Sequence, residues 1–183
     1  SPGAQTWTTP RSLVGGVACR FSQSLAGVGD RAVYAWSCDG DGVLTNDLDQ
    51  EIFYCEWTNG VWSAEKQLTV DTVADKNVRA ALGSGGTSYL VWQHGTDLVM
   101  SQGFSTNLTL VRPDSQTAGF ADYALTLGRN GNLVLLWQEM SPDGPDAHYR
   151  VYDPASGLWS QDMLLCRDAS LERSFTPVWD DAG

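Results

Sequence analysis

The chain has 183 residues, the size of one domain or of one piece of a larger one. Its 22 Asp and Glu against 11 Lys and Arg leave a net charge of −11, a field that repels phosphate backbones and anionic lipid; no nucleic acid and no membrane surface is expected as a partner. Hydrophobic residues at 42% suffice for a core, no apolar run nears the ~18–20 residues of a membrane helix, and 19 Gly, 8 Trp and 18% charged residues suit an all-β chain with many turns.

Along the chain, short β-branched or aromatic runs recur between Gly, Asp, Asn and Pro. The first, Trp7 to Leu13, is an isolated strand within residues 5–14. Residues 17–70 then carry four strands, A to D: one ending Ser24-Leu-Ala-Gly27, one from Ala32 to Trp36, one running on from Asp49, and one from Trp62 to Leu68. Residues 75–112 repeat the order with Ala81-Leu-Gly83, Ser88 to Trp92, a run from Asp97, and Ser105 to Leu110. Residues 120–167 repeat it again with Thr126-Leu-Gly128, Leu133 to Trp137, a run from Asp146, and Trp159 to Leu165. A last A strand falls within 173–180, where Val178-Trp-Asp180 ends like the earlier ones.

The period carries the fold assignment. Trp7 and Trp62 are 55 residues apart, Trp62 and Trp159 are 97 apart, and Asp49, Asp97 and Asp146 follow at 48 and 49. Four strands recurring at that interval describe a β-propeller blade, whereas the strands of a β-sandwich need not return in a four-beat order. The B strands are apolar at nearly every position, as expected of strands covered on both faces. The expectation is an all-β chain of three complete four-stranded antiparallel blades with partial blades at both ends. That makes fourteen strands, and a closed four-bladed ring needs sixteen, lacking here a B and a C. An open fan leaves two apolar sheet faces bare, so the chain is expected to belong to a larger propeller completed by another chain, a cleaved segment or further sequence. The competing arrangement is an irregular four-bladed ring.

The D-strand phrases Gly60-Val-Trp62-Ser63 and Gly157-Leu-Trp159-Ser160 resemble the sequence that follows the Asp-box turn of sialidase-like propellers. The box itself is degenerate: Cys55-Glu-Trp-Thr-Asn-Gly-Val-Trp62 and Tyr152-Asp-Pro-Ala-Ser-Gly-Leu-Trp159 both lack its Asp at the third position. The chain is similar to the repeats of large secreted bacterial proteins, in which such blades look like adhesion or ligand-binding modules. The resemblance thus implies a secreted or cell-surface location. The opening SPGAQTW has neither the charged nor the apolar region of an export signal, so such a signal would have been removed or lie upstream.

Sialidases grip a carboxylate with three Arg and cleave with a Tyr–Glu nucleophile and an Asp acid, because guanidinium forks match carboxylates and paired acids serve glycoside hydrolysis. Arg20 and Arg173 lie near A-strand starts, where that family places arginines, but no Arg recurs at one position in every blade. The positions aligned there are Arg20, Asn77, Asp122 and Ser174, a mixed polar ring that either lines a ligand site at the propeller axis or forms solvated strand ends. No GxSxG, HExxH or phosphate loop occurs.

The first B–C connection is acidic and Gly-rich, with Asp39, Asp41, Asp47, Asp49 and Glu51 inside 13 residues. Calcium takes six to eight oxygens from such loops, and the stretch resembles the calcium loops of integrin-type propeller repeats with an insertion. The alternative is turn chemistry, in which the Asp that begins each C strand accepts backbone N–H bonds. Cys38 and Cys55 flank this loop and form the candidate disulfide. A simple hairpin register instead puts Cys55 opposite a residue near Tyr34, and buried free thiols are the other reading. Trp36, Trp92 and Trp137 share one blade position and suit blade-to-blade packing. Trp57 and Trp179 fall outside the repeat, and Trp57 joins Arg20, Asn77 and Asp122 as a ligand candidate. With no motif uniting nucleophile, base and orienting group, two functions stand: a non-catalytic extracellular module binding a glycan or protein, or part of a glycoside hydrolase or lyase completed by other blades.

Overall fold

β-Branched and aromatic side chains fit a pleated, half-buried surface, and every regular element among the described residues is a strand. The computed structural model describes residues 12, 20–39, 43, 49–112, 123–128, 130–141 and 144–167. No helix long and apolar enough to cross a membrane occurs among them. The first sheet joins β1 (Arg20–Val28), β2 (Arg31–Asp39), β3 (Gln50–Thr58) and β4 (Val61–Trp62) in that order, with β5 (Lys66–Gln67) also on β3. The second runs β6 (Asp75–Leu82), β7 (Ser88–His94), β8 (Asp97–Gln102), β9 (Thr109–Arg112). The third runs β10 (Tyr123–Leu127), β11 (Leu133–Ser141), β12 (Gly144–Asp153), β13 (Leu158–Trp159), with β14 (Met163–Arg167) also on β12. Each sheet is an antiparallel meander, and β6, the first strand of its sheet, packs against the first strands β1 and β10. Sheets stacked in chain order about their first strands are successive β-propeller blades. The strands expected at 5–14 and 173–180 lie outside the described residues.

Blade packing explains the apolar B strands. Trp36, Trp92 and Trp137 are all fully buried. Trp92 clusters with Val33, Ala35, Ile52 and Tyr54 of the first blade, and Trp137 with Val91, Leu98 and Met100 of the second. Trp92 and Trp137 thus pack toward the preceding blade, and each indole contributes about 4–6 kcal/mol if ~150–250 Å² leaves water at ~25 cal/mol per Å². Tyr54 and Phe104 stack across the same seam, centroids 3.9 Å apart.

The Trp-Ser phrase has a backbone function. After Trp62 and Trp159 the outer strand breaks, which splits each D strand in two. At the break Ser63 N donates to Glu56 O at 2.8 Å and its Oγ accepts from Glu56 N at 3.0 Å. Ser160 repeats this with Val151, at 2.8 and 3.0 Å. The hydroxyl replaces the ladder acceptor that the break removes. Ahead of it, Asn59 and Gly60, at φ 51° and 86°, link Thr58 to Val61 as a two-residue primed turn.

Two expectations are corrected by register. Cys55 pairs with Tyr34 and Cys38 with Glu51, so the cysteines sit four ladder positions apart. At ~3.3 Å per residue that is about 13 Å, beyond the ~7 Å limit for bridged Cα atoms. The Cys38–Cys55 disulfide is absent; both are buried thiols, and Cys166 is an exposed one. Second, counting from the B-strand Trp, the residue opposite the second position beyond it is Glu51, Asp97 and Asp146 in turn. The acid that begins the first C strand is therefore Glu51, two residues past Asp49, because the longer connection displaces the count.

Candidate functional site

The ladders gather polar residues at one end of the blades. Asp75 pairs with His94 and His94 with Asp97. Arg20 pairs with Cys38 and Cys38 with Glu51, and Glu139 pairs with Asp146. The inner strands run in one direction: Ser22 Oγ accepts from Val78 N at 3.1 Å and Ser24 Oγ from Ala80 N at 2.9 Å. This end therefore carries Arg20, Asp39, Asp49, Glu51, Asp75, Asn77, His94, Asp97, Glu139 and Asp146.

Of the expected ligand residues, Arg20 begins β1, and Asn77 is exposed at φ 58° in the bulge between Lys76 and Arg79. Asn77 O accepts from the Tyr123 hydroxyl, Arg79 Nε donates to Tyr123 O at 3.1 Å, and the Arg79 guanidinium lies 5.2 Å from the Tyr123 ring centroid. Asp122, Asp41 and Asp47 lie outside the described residues. Asp39 is buried at the end of β2 and Asp49 is half-buried. Trp57 belongs to the opposite end, where it pairs with Trp62, centroids 5.6 Å apart. Register also gives Trp57 a place in the repeat: it stands where the third blade has Tyr152, which meets Tyr89 of the preceding blade at 6.1 Å and donates to Gln102 Oε1 at 2.9 Å. Trp57 and the Arg20–Asn77 end do not share one ligand surface.

The tightest polar cluster was not expected. Asp75 is fully buried; its Oδ1 accepts from Trp92 Nε1 at 2.7 Å and lies 2.8 Å from His94 Nδ1. Its Oδ2 is buried with no hydrogen-bond partner among the described residues. Glu51, 6% exposed, accepts from Asp71 N through Oε1 at 2.9 Å, and its Oε2 is likewise buried and unpartnered. Exposed Asp71 turns back on the chain, its Oδ1 accepting from Val73 N at 2.7 Å. Burial pushes the Asp75 carboxyl above its ordinary range, opposed by the Thr69 hydroxyl, His94 and Trp92. Burial also raises Glu51, opposed by Thr69 and the Asp71 amide and reinforced by the charges of Asp75 and Asp71. Donor atoms of Asp71, Asp75 and His94 all lie within 4.8 Å of one another. Only Glu51 of this group stood out in the sequence, in a different grouping. The signal for the rest was polarity at the ends of otherwise apolar strands.

The blades define the chain as an all-β protein of the β-propeller class. No protein-family model matches it, and no curated protein does. Among solved structures it is similar to an exo-β-1,3-galactanase from Clostridium thermocellum, at 15% identity and TM-score 0.48, over 74% of this chain and 32% of that one. It is also similar to a Trypanosoma rangeli sialidase in complex with 2,3-difluorosialic acid, at 15% and 0.47, over 86% and 30%. A hypothetical protein from Leishmania major matches at 10% and 0.43, over 77% and 48%. The chain thus spans about a third of the first two and about half of the last.

Proposed function

We propose that the chain is a non-catalytic recognition module of an extracellular propeller, and that its acidic end receives a neutral or cationic ligand, glycan or protein. The observation that carries this reading is the convergence of polar residues that differ from blade to blade at one end of a repeated scaffold. At matched ladder positions the B strands there hold Cys38, His94 and Glu139, and the first two A strands hold Arg20 and Asp75. Variable residues at the ends of a rigid frame are where binding resides. Acidic groups favour cationic or hydroxyl-rich partners over anionic polymers. Binding is favoured over catalysis because the carboxylates raised by burial, Asp75 and Glu51, are closed to a substrate at 0% and 6% exposure.

The test is a glycan array and a panel of basic peptides, followed by titration of the best ligand across ionic strength. Asp97→Asn with Asp146→Asn should weaken binding roughly three- to tenfold, most strongly at low salt. Turnover of a glycoside by the isolated chain, abolished by replacing one carboxylate, would overturn the reading in favour of a hydrolase propeller.

A further inference from the structure

We propose that Asp71, Asp75 and His94, backed by Glu51, form a site for one divalent transition-metal cation of the zinc class at the seam between the first two blades. The donors come from separate pieces of chain. Glu51 is the second residue of β3 in the first blade, Asp71 lies in the connection between blades, and Asp75 and His94 are paired across β6 and β7 of the second. Three donor atoms within 4.8 Å of one another are close enough to share one ion.

The independent observation is the state of the buried oxygens. Asp75 is fully buried and Glu51 nearly so, and each holds one carboxylate oxygen without a hydrogen-bond partner among the described residues. Burying a charged oxygen without compensation is costly, and a cation among Asp71, Asp75 and His94 would remove that cost for Asp75 directly and offset the charge near Glu51. Two bonds are compatible with ligation: Asp75 Oδ1 accepts from Trp92 and Glu51 Oε1 from the Asp71 amide, while the 2.8 Å contact of Asp75 Oδ1 with His94 Nδ1 is the one that an ion between them would replace. Those two bonds orient the carboxylates, as outer contacts orient the ligands of known metal sites. The imidazole selects the metal, since nitrogen with carboxylate oxygen suits zinc-class ions, whereas calcium prefers an all-oxygen shell of six to eight ligands. This site differs from the calcium loop expected at 39–51 and shares only Glu51 with it.

The experiment uses the full untagged chain with Cys19→Ser and Cys166→Ser, which removes as competing ligands the thiol outside the described residues and the exposed one among them. After treatment with chelator, the protein is titrated by calorimetry with Zn²⁺ and, separately, Ca²⁺, and is loaded with Co²⁺ for absorption spectroscopy. The expected result is one Zn²⁺ per chain, a melting temperature that climbs with free Zn²⁺, and a Co²⁺ spectrum without thiolate charge transfer. Asp71→Asn and His94→Gln, at exposed and half-buried positions that leave the core intact, should each weaken Zn²⁺ at least tenfold. Asp75→Asn should do the same, but it risks misfolding, so the first two variants decide. No Zn²⁺ binding would overturn the proposal. Unchanged affinity in both deciding variants, a thiolate spectrum, or Ca²⁺ binding as tight as Zn²⁺ would overturn it as well.

Discussion

The inner strands β1 and β6 run side by side without a backbone ladder, and two serine hydroxyls bridge them. Replacing both, Ser22→Ala with Ser24→Ala, removes the acceptors of Val78 N and Ala80 N, at 3.1 and 2.9 Å, and the Ser22–Ser37 hydroxyl contact at 3.0 Å. Val78 is fully buried, so its amide is far from replacement water. An orphaned buried N–H costs about 1–3 kcal/mol, so the pair should cost on the order of 2–5 kcal/mol. The sites are neighbours, and strict additivity is not expected. At roughly 2–4 °C per kcal/mol for a chain this long, the melting temperature should fall by about 4–20 °C. Calorimetry gives the shift, and amide exchange locates it, with Val78 and Ala80 losing protection first. Ser156→Ala is the control, since that exposed hydroxyl bonds only within its own turn, to Asp153. A double variant melting within about 1 °C of the parent, with both amides still protected, would refute the view that these hydroxyls join the blades.

Ser63→Ala and Ser160→Ala should each cost about 1 kcal/mol by orphaning Glu56 N or Val151 N, measured by urea unfolding; no change in midpoint would deny the hydroxyl its role as ladder acceptor. Maleimide labelling followed by peptide mapping should modify Cys166 in the folded protein and Cys38 and Cys55 only after unfolding, with no reductant needed. A Cys38–Cys55 linked peptide would contradict the register. Backbone and hydroxyl donors at Ala155 and Ser156 hold Asp153 below its ordinary 3.8. Its stabilisation is therefore complete above that value and lost as pH falls through the lower folded one. Asp153→Asn should remove this component and flatten the acid limb of the stability curve, and an unaltered limb would exclude it.

The fold was legible because a blade repeats both its apolar strands and its turns. Four runs of β-branched and aromatic residues, returning every ~48 residues, leave few architectures open. The B-strand Trp reads correctly from sequence because burial on both faces forces an apolar run. Register is harder, since a connection of unusual length shifts every later residue against its counterparts. That is why Asp49 aligns in sequence with Asp97 and Asp146, while the ladder puts Glu51 there. It also hides that Trp57 occupies the place of Tyr152, since the two are matched only when counted from the strand pairing. The Asp75 cluster was illegible for another reason. Its members come from two blades and a connection, each is unremarkable alone, and only packing makes them a group.

The two seams between described blades are built differently, and the difference says where an ion would matter. Between the second and third blades Val91, Leu98, Met100, Leu133, Leu135 and Trp137 form one buried apolar cluster, and the polar contacts that border it, Arg79 to Tyr123 and Tyr152 to Gln102, bring no carboxylate. Apolar seams need no partner beyond shape, and their stability follows area. Between the first and second blades a comparable cluster around Trp92 is bordered by serine bridges on the inner strands and by Glu51, Thr69 and Asp75 at the acidic end. Buried carboxylates of like charge repel across such a seam unless they are protonated or shared by a cation. Protonation would relieve the repulsion without joining the blades. A cation held by Asp71, Asp75 and His94 would tie the connection between the blades to the second blade, with Glu51 of the first bonded to the Asp71 amide, and would stiffen the end of the module where the variable polar residues lie.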